Sequence, residues 1–323
     1  MFQSIPKAPL ILAVIAALTM PMPMPQAHAE QPIRLIVGYA PGGGVDTAAR
    51  IVAKRIQQNL GQSVIVENRP GAGGIISANA LASSPHDGST LLMAESAFLI
   101  TPHLYKNVTF SIQKDFEPIG MVARAPLALA SSMQFPATTL GELIALLKKS
   151  PGKYSYGTPG IGTLQHLSGE VFKSAAQVDM LHVPYHGGLQ VVNDLMTGGI
   201  DLGIASFPSV MPLAKGGKIR IIAIMSDKRQ PSMPSVPTVS ETLPGFSIMP
   251  TLFILAPAGT SPVVVAHLNQ ALQEALRDKG LAQAFEAQGM IPEASSPAEL
   301  ATFMRNEEAR WATVVHKERI SIE

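Results

Sequence analysis

From Pro32 onward the chain alternates short apolar, β-branched runs with stretches whose apolar residues recur every three to four positions. Ile33-Arg34-Leu35-Ile36-Val37 predicts a strand. After a glycine-rich turn, Val45, Ala48, Ala49, Val52, Ile56 and Leu60 fall on one face of a helix that Gly61 ends. Val64-Ile65-Val66 is the next strand, Gly71-Ala72-Gly73-Gly74 opens a second helical stretch, and Thr90-Leu91-Leu92-Met93 is strand three. Strand, turn and helix in this order predict a parallel sheet with right-handed crossovers.

The middle of the chain repeats the scheme. Thr139 and Glu142 have capping-box spacing ahead of an apolar helix to Lys149. Tyr154-Ser155-Tyr156 predicts a strand running into a glycine-rich turn at 157–163, with a helix over 164–174. Val183, Ile204 and Ile219–Ile224 mark further strands. The end is helical: Ser261 before Pro262 predicts an N-cap and a helix over 263–278, and Ser296 with Glu299 predicts another that leads to Trp311. No period of 20–50 residues repeats, which excludes solenoids. Two successive α/β units and a helical tail predict a two-lobed α/β protein, and ligands of such folds sit beyond the carboxyl ends of the strands.

The first 29 residues stand apart. One cation (Lys7), an apolar run between Pro9 and Pro21, and Ala27-His28-Ala29 follow the order of a secretory signal peptide. The run is about half of the ~20 residues a membrane span needs. Cleavage after Ala29 would leave an exported, periplasmic chain of residues 30–323. Lys7 is the only charge it would lose, leaving equal numbers of acidic and basic residues.

Composition narrows the function. Over the whole chain Lys+Arg number 24 and Asp+Glu 23, without the basic excess of a nucleic-acid protein. The absence of cysteine removes disulfides, thiolate nucleophiles and cysteine-held metals, so large cores must hold the fold.

Two glycine-rich turns carry the candidate chemistry. The first, at 38–47, has Gly42, Gly43 and Gly44 between a strand and a helix start, where free N–H groups attract an anion. It matches neither nucleotide-binding fingerprint and has no basic side chain, so a carboxylate suits it better than a triphosphate. Asp46 reads either as a helix cap or as a ligand contact. The second turn, at 156–166, repeats the device, with Thr163 as a cap and the Thr158 hydroxyl available. Two such helix starts facing one cleft would grip one ligand from both sides. His182 and His186 have metal-like spacing, but Pro184 between them forbids the helix that would align them. No nucleophile elbow and no paired carboxylates appear; Glu95 and Glu170 stand alone.

Eleven segments spread over residues 30–323 resemble the extracytoplasmic solute receptors of tripartite tricarboxylate transporters, the Bug-type receptors. Among them are Pro41-Gly42-Gly43-Gly44-x-Asp46, Val66-Glu67-Asn68-Arg69-Pro70-Gly71-Ala72-Gly73-Gly74, Asp87-Gly88-x-Thr90-Leu91, His166-Leu167-x-Gly169-Glu170, His182-Val183-Pro184-Tyr185 and Pro257-Ala258-Gly259-Thr260. The resemblance implies a type II periplasmic-binding-protein fold: two α/β lobes joined by crossover strands near 123–131 and 250–257, with a ligand cleft between. Lobe one would hold 30–125 and 253–323, and lobe two 126–252. The implied ligand is a small carboxylated organic acid, held without cofactor or metal and delivered to membrane transporter subunits by a monomer. Its contacts would be Tyr39, Gly42, Gly43, Asp46 and Thr47 from lobe one. From lobe two would come Thr158, Gly160, Gly162, Thr163, His166, Tyr185, Gly187 and Gly188, with Ala205 and Ser206 closing the floor.

Three features depart from the family pattern: Tyr39 where Phe is common, His186 where Lys is common, and no bulky aromatic over 201–206. A phenol and an imidazole there would suit a polar or aromatic acid. Two rival readings remain from sequence: an exported α/β enzyme using His166 or His182 on organic acids, and a ligand-sensing partner of a membrane kinase.

Overall fold

The computed structural model describes Met1, residues 31–317 and Ile320. The expected signal segment, Met1 apart, and its cleavage point lie outside the described residues.

The first unit runs β1 (Ile33–Val37), α1 (Gly44–Leu60), β2 (Val64–Asn68), α2 (Ile75–Ala82), β3 (Thr90–Glu95), the single turn α3 (Thr101–Leu104) and β4 (Phe116–Arg124). The second runs β5 (Leu127–Ser132), α4 (Leu140–Lys149), β6 (Ser155–Thr158), α5 (Leu164–Ala176), β7 (Leu181–Pro184), α6 (Gly188–Thr197), β8 (Leu202–Ser206), α7 (Phe207–Lys215) and β9 (Ile219–Ile224). The chain ends with β10 (Thr251–Pro257), α8 (Pro262–Leu276), α9 (Lys279–Ala287), β11 (Ile291–Pro292) and α10 (Pro297–Lys317).

The strands form two mixed sheets, ordered β11-β4-β10-β3-β1-β2 and β7-β6-β8-β5-β9. Strands β2, β1 and β3 are parallel, as β7, β6 and β8 are; β10 and β5 run antiparallel to their neighbours. The chain crosses between sheets at Ala125-Pro126 and returns between β9 and β10. The Ala125 N–H donates to the Pro250 carbonyl at 2.9 Å, which ties the two crossings together. The α/β class follows the expectation; the first crossing falls within the expected 123–131, whereas 250–257 is strand β10 of the first sheet and the return precedes it.

Helix α1 buries the apolar face its periodicity predicts, Val45, Ala48, Ala49, Val52 and Ile56, against the first sheet and α8. The capping boxes at Thr139/Glu142 and Ser296/Glu299 form, and Ser261 accepts from Val264 N. The helix expected over 263–278 forms as α8, and a second helix that was not expected, α9, follows it at once. The Asp278 carboxylate accepts from Leu281 N and pairs with Arg55, so the residue read as a helix end caps the start of α9. The strand expected at 154–156 lies at Ser155–Thr158. Helix α10 runs past Trp311 and serves both sheets. Leu300 and Met304 pack with Phe116 and Phe253 of the first, whereas Trp311 and Val315 pack with Leu167, Phe172 and Phe246 on the side of the second. Among the described residues no helix is long and apolar enough to cross a membrane.

Candidate functional site

Because β2, β1 and β3 are adjacent and parallel, the segments leaving their carboxyl ends come together. The turn after β1, the glycine turn after β2 and the segment after β3 meet the turn after β6 of the other sheet around a cavity of about 370 Å³. Gly38, Tyr39 and Ala40 border it from the first turn, Gly71, Gly73 and Gly74 from the second. Glu95 ends β3, Ala97, Thr101, Leu104 and Tyr105 follow it, and Pro159, Ile161, Gly162, Thr163 and Gln165 come from the side of the second sheet.

Two glycines are sterically required. A Cβ on Gly38 would stand 2.5 Å from Ser77 Oγ. One on Gly73, whose φ is +62°, would stand 2.8 Å from the Tyr105 ring. The glycine turn after β2 is the part of the wall that the sequence reading took only for a helix start.

The first turn is held by Asp46. It sits in the first turn of α1 without capping it; Gly43 is the N-cap and offers no side chain. Its carboxylate accepts from Gly42 N (2.9 Å), from Arg50 Nε (3.0 Å) and Nη2 (3.0 Å), and from Asn68 Nδ2 (2.8 Å). The Arg50 guanidinium chiefly, with the peptide N–H and the amide, holds the Asp46 pKa down to about 2. These four donors engage the carboxylate, so Asp46 shapes the turn, and it lies outside the cavity lining. Gly42, Gly43 and Thr47 also lie outside the cavity lining.

The second turn rests on buried His166 and half-buried His182. Gly162 N donates to His166 Nδ1 (3.1 Å), and the His166 ring stacks on His182 with centroids 3.9 Å apart. The Thr158 and Thr163 hydroxyls both donate to the Gly160 carbonyl, at 3.3 and 2.8 Å. Thr158 must then accept from His182 Nε2, 2.7 Å away. Beside the stack, the Tyr156 hydroxyl donates to Glu170 (2.5 Å), itself paired with Lys173. Of the predicted lobe-two contacts only Gly162 and Thr163 border the cavity; Thr158, Gly160 and His166 form the layer behind it.

Tyr185 donates its hydroxyl to Asp194 at 2.6 Å, and burial with this carboxylate pushes its pKa up to about 12. Gly187 and Gly188 begin α6 away from the lining. Ala205 is buried in the core against Ala128 of β5, and Ser206 hydrogen-bonds Ser209. Neither is among the residues that border this cavity. Among the described residues no three His, Asp or Glu side chains stand close enough to share a metal ion.

Both stacked rings are held below the ordinary histidine value of 6.5: His166 by burial, and His182 to about 4 by burial and the neighbouring ring. Between about pH 6.5 and 4 the unfolded chain therefore binds protons that the folded chain refuses, and stability falls as pH drops through that window. The expected loss is about 1–2 kcal/mol, after discounting for the partial solvent contact of His182. Urea midpoints at pH 7.5 and 4.5 measure it, and His182→Phe should flatten the acid-side slope.

Sequence reasoning missed Glu95. Its Oε1 accepts from the Tyr39 hydroxyl at 2.6 Å across 56 positions of sequence. Burial raises the pKa of both groups, and for Tyr39 the facing carboxylate adds to the rise. Ala40 and Ile161, one from each sheet's turn, border the cavity with N–H groups that have no hydrogen-bond partner among the described residues.

The model of the tripartite tricarboxylate transporter family receptor matches residues 48–320. Protein BugT of Bordetella pertussis is 35% identical over 293 residues, 90% of each chain. An R. palustris protein solved with adipate is 31% identical, with a TM-score of 0.81 over 90% of this chain and 98% of that one. MatC from Rhodopseudomonas palustris, solved with malate, is 28% identical, with a TM-score of 0.77 over 88% and 98%.

Proposed function

The chain belongs to the tripartite tricarboxylate transporter receptor family, and from that premise we propose that it is a periplasmic receptor for a small carboxylated organic acid. The acid binds between two lobes, 30–125 with 253–323 and 126–252, and the loaded form is delivered to membrane transporter subunits. Residues 1–29 are removed on export, and the receptor acts as a monomer without cofactor.

One observation carries this reading: the cavity is bounded by a turn from each sheet, each bringing a peptide N–H without a partner, at Ala40 and Ile161. A carboxylate placed there satisfies donors of both lobes at once, and only when the lobes are together. Such a ligand binds the closed form better than the open one, which is what closure requires. The bound adipate and malate of the two R. palustris proteins are acids of this size. A cavity of about 370 Å³ fits them.

The two histidines of the enzyme reading stand back from this cavity. His166 Nδ1 is occupied by Gly162 N–H, His182 is bonded to Thr158, and neither ring borders the space. A thermal-shift screen of organic acids tests the proposal. A ligand at 100 times its Kd should add about 2.7 kcal/mol, or ~4–5 °C for a chain of this length. Small-angle scattering should show contraction with that ligand; unchanged dimensions at saturation would refute closure.

A further inference from the structure

Among the described residues the cavity has one charged side chain, and it is an acid. No described Lys, Arg or His borders the space, whereas Glu95 does, beside Tyr39, Ala97 and Thr101. Glu95 Oε1 accepts from Tyr39, while Oε2 has no hydrogen bond among the described residues. Having donated its proton to Glu95, the Tyr39 hydroxyl can only accept from anything else that reaches it. Thr101 Oγ1 likewise spends its proton on the Gly73 and Ala97 carbonyls, each 3.1 Å away. Three oxygens with lone pairs, Glu95 Oε2, Tyr39 Oη and Thr101 Oγ1, thus face this end of the cavity, and the Tyr105 hydroxyl, without a partner among the described residues, stands beside Gly73. A carboxylate arriving at Glu95 would meet a like charge and two acceptors beside it.

We propose that Glu95 is a specificity-determining residue that restricts this receptor to carboxylic acids carrying a protonated amine. The inference rests on the receptor reading: the solute's carboxylate engages the peptide N–H groups, and its ammonium engages Glu95 Oε2 and Tyr39 Oη. An ammonium has three donors and no acceptor, the complement of these three oxygens. Burial disfavours the charged form of Glu95 in the empty cavity, and an ammonium at hydrogen-bond distance restores it, so the charged ligand and the ionised acid stabilise each other. A dicarboxylate of equal length gains nothing there unless it leaves Glu95 protonated.

Titration calorimetry at pH 7.5 on residues 30–323 tests this with matched pairs: 4-aminobutanoate against succinate, 6-aminohexanoate against adipate, and 4-(aminomethyl)benzoate against terephthalate. The native protein should bind at least one amino acid of the set tenfold or more tighter than its diacid partner. Glu95→Gln keeps the side chain's size and should weaken that binding at least tenfold, abolishing or reversing the preference. Tyr39→Phe leaves the carboxylate in place, removes the hydroxyl, and should reduce the preference several-fold; it carries the test if Glu95→Gln does not fold. Equal or tighter binding of the diacids by the native protein would overturn the inference while leaving the receptor reading intact. So would a preference that neither substitution changes. Binding of no member of any pair by any of the three proteins would remove both readings together.

Discussion

Alanine in place of Trp311 should destabilise the protein by about 3–5 kcal/mol, the usual cost of emptying an aromatic's place in a core. The indole is 1% exposed and packs in the cluster of Leu167, Phe172 and Phe246. Its Nε1–H donates to Glu307 at 2.9 Å, and the Arg310 guanidinium lies 5.3 Å from the ring centroid. Arg310 also donates to the Ser247 carbonyl at 2.7 Å. Trp311 is thus where the helix that begins on the first sheet is fastened to the side of the second. Against a total stability of ~5–15 kcal/mol, such a loss leaves little in reserve. Urea unfolding read by circular dichroism measures it. Trp311→Phe should cost clearly less, because the ring volume is mostly kept and only the Glu307 bond is lost. Equal losses for Ala and Phe would mean that the hydrogen bond outweighs the packing.

Asp46→Ala has the next largest expected effect, about 2–4 kcal/mol, because a buried carboxylate with four donors leaves those donors unmatched when it goes. Gly42 N loses its acceptor and Asn68 Nδ2 one of its two, keeping the Tyr39 carbonyl, so the turn carrying Tyr39 and Ala40 loses most of its anchor. Ligand affinity should fall at least tenfold although Asp46 touches no part of the cavity. The acid limb has a definite sign. The carboxyl is held from its ordinary 3.8 down to about 2, so its contribution is complete above about pH 4 and fades as pH falls towards 2. Calorimetry and urea midpoints on Asp46→Ala and Asp46→Asn separate the two effects. Undiminished affinity in a folded Asp46→Ala protein would show that the turn keeps its shape without the carboxylate.

Most of the elements were legible in the sequence because their signals are local. The apolar face of α1, the box at Thr139 and Glu142, and the Ser261-Pro262 start each depend on residues within a turn or two of one another. Asp278 was misread for the same reason: a residue that closes one helix pattern also has the spacing to cap the next, and the pairing with Arg55 is not written nearby. The site was legible in part. Tyr39, Gly162 and Thr163 border the cavity as expected, whereas Asp46, Thr158, Gly160 and His166 build the layer that holds the turns. Glycine-rich turns announce where a backbone bends. They do not announce which of their atoms face outward.

The order of apolar and polar residues, by itself, determined the strands and helices, the parallel β-α winding and the two turns on which binding is proposed to depend. These follow from periodicity and capping, which act over a few residues. Tertiary structure alone decided that the segments after β1, β2 and β3 share one wall, that Glu95 meets Tyr39, and that His166 stacks on His182. Those partners are set by which strands lie side by side. Strand adjacency is a long-range packing outcome that no local pattern of residues encodes.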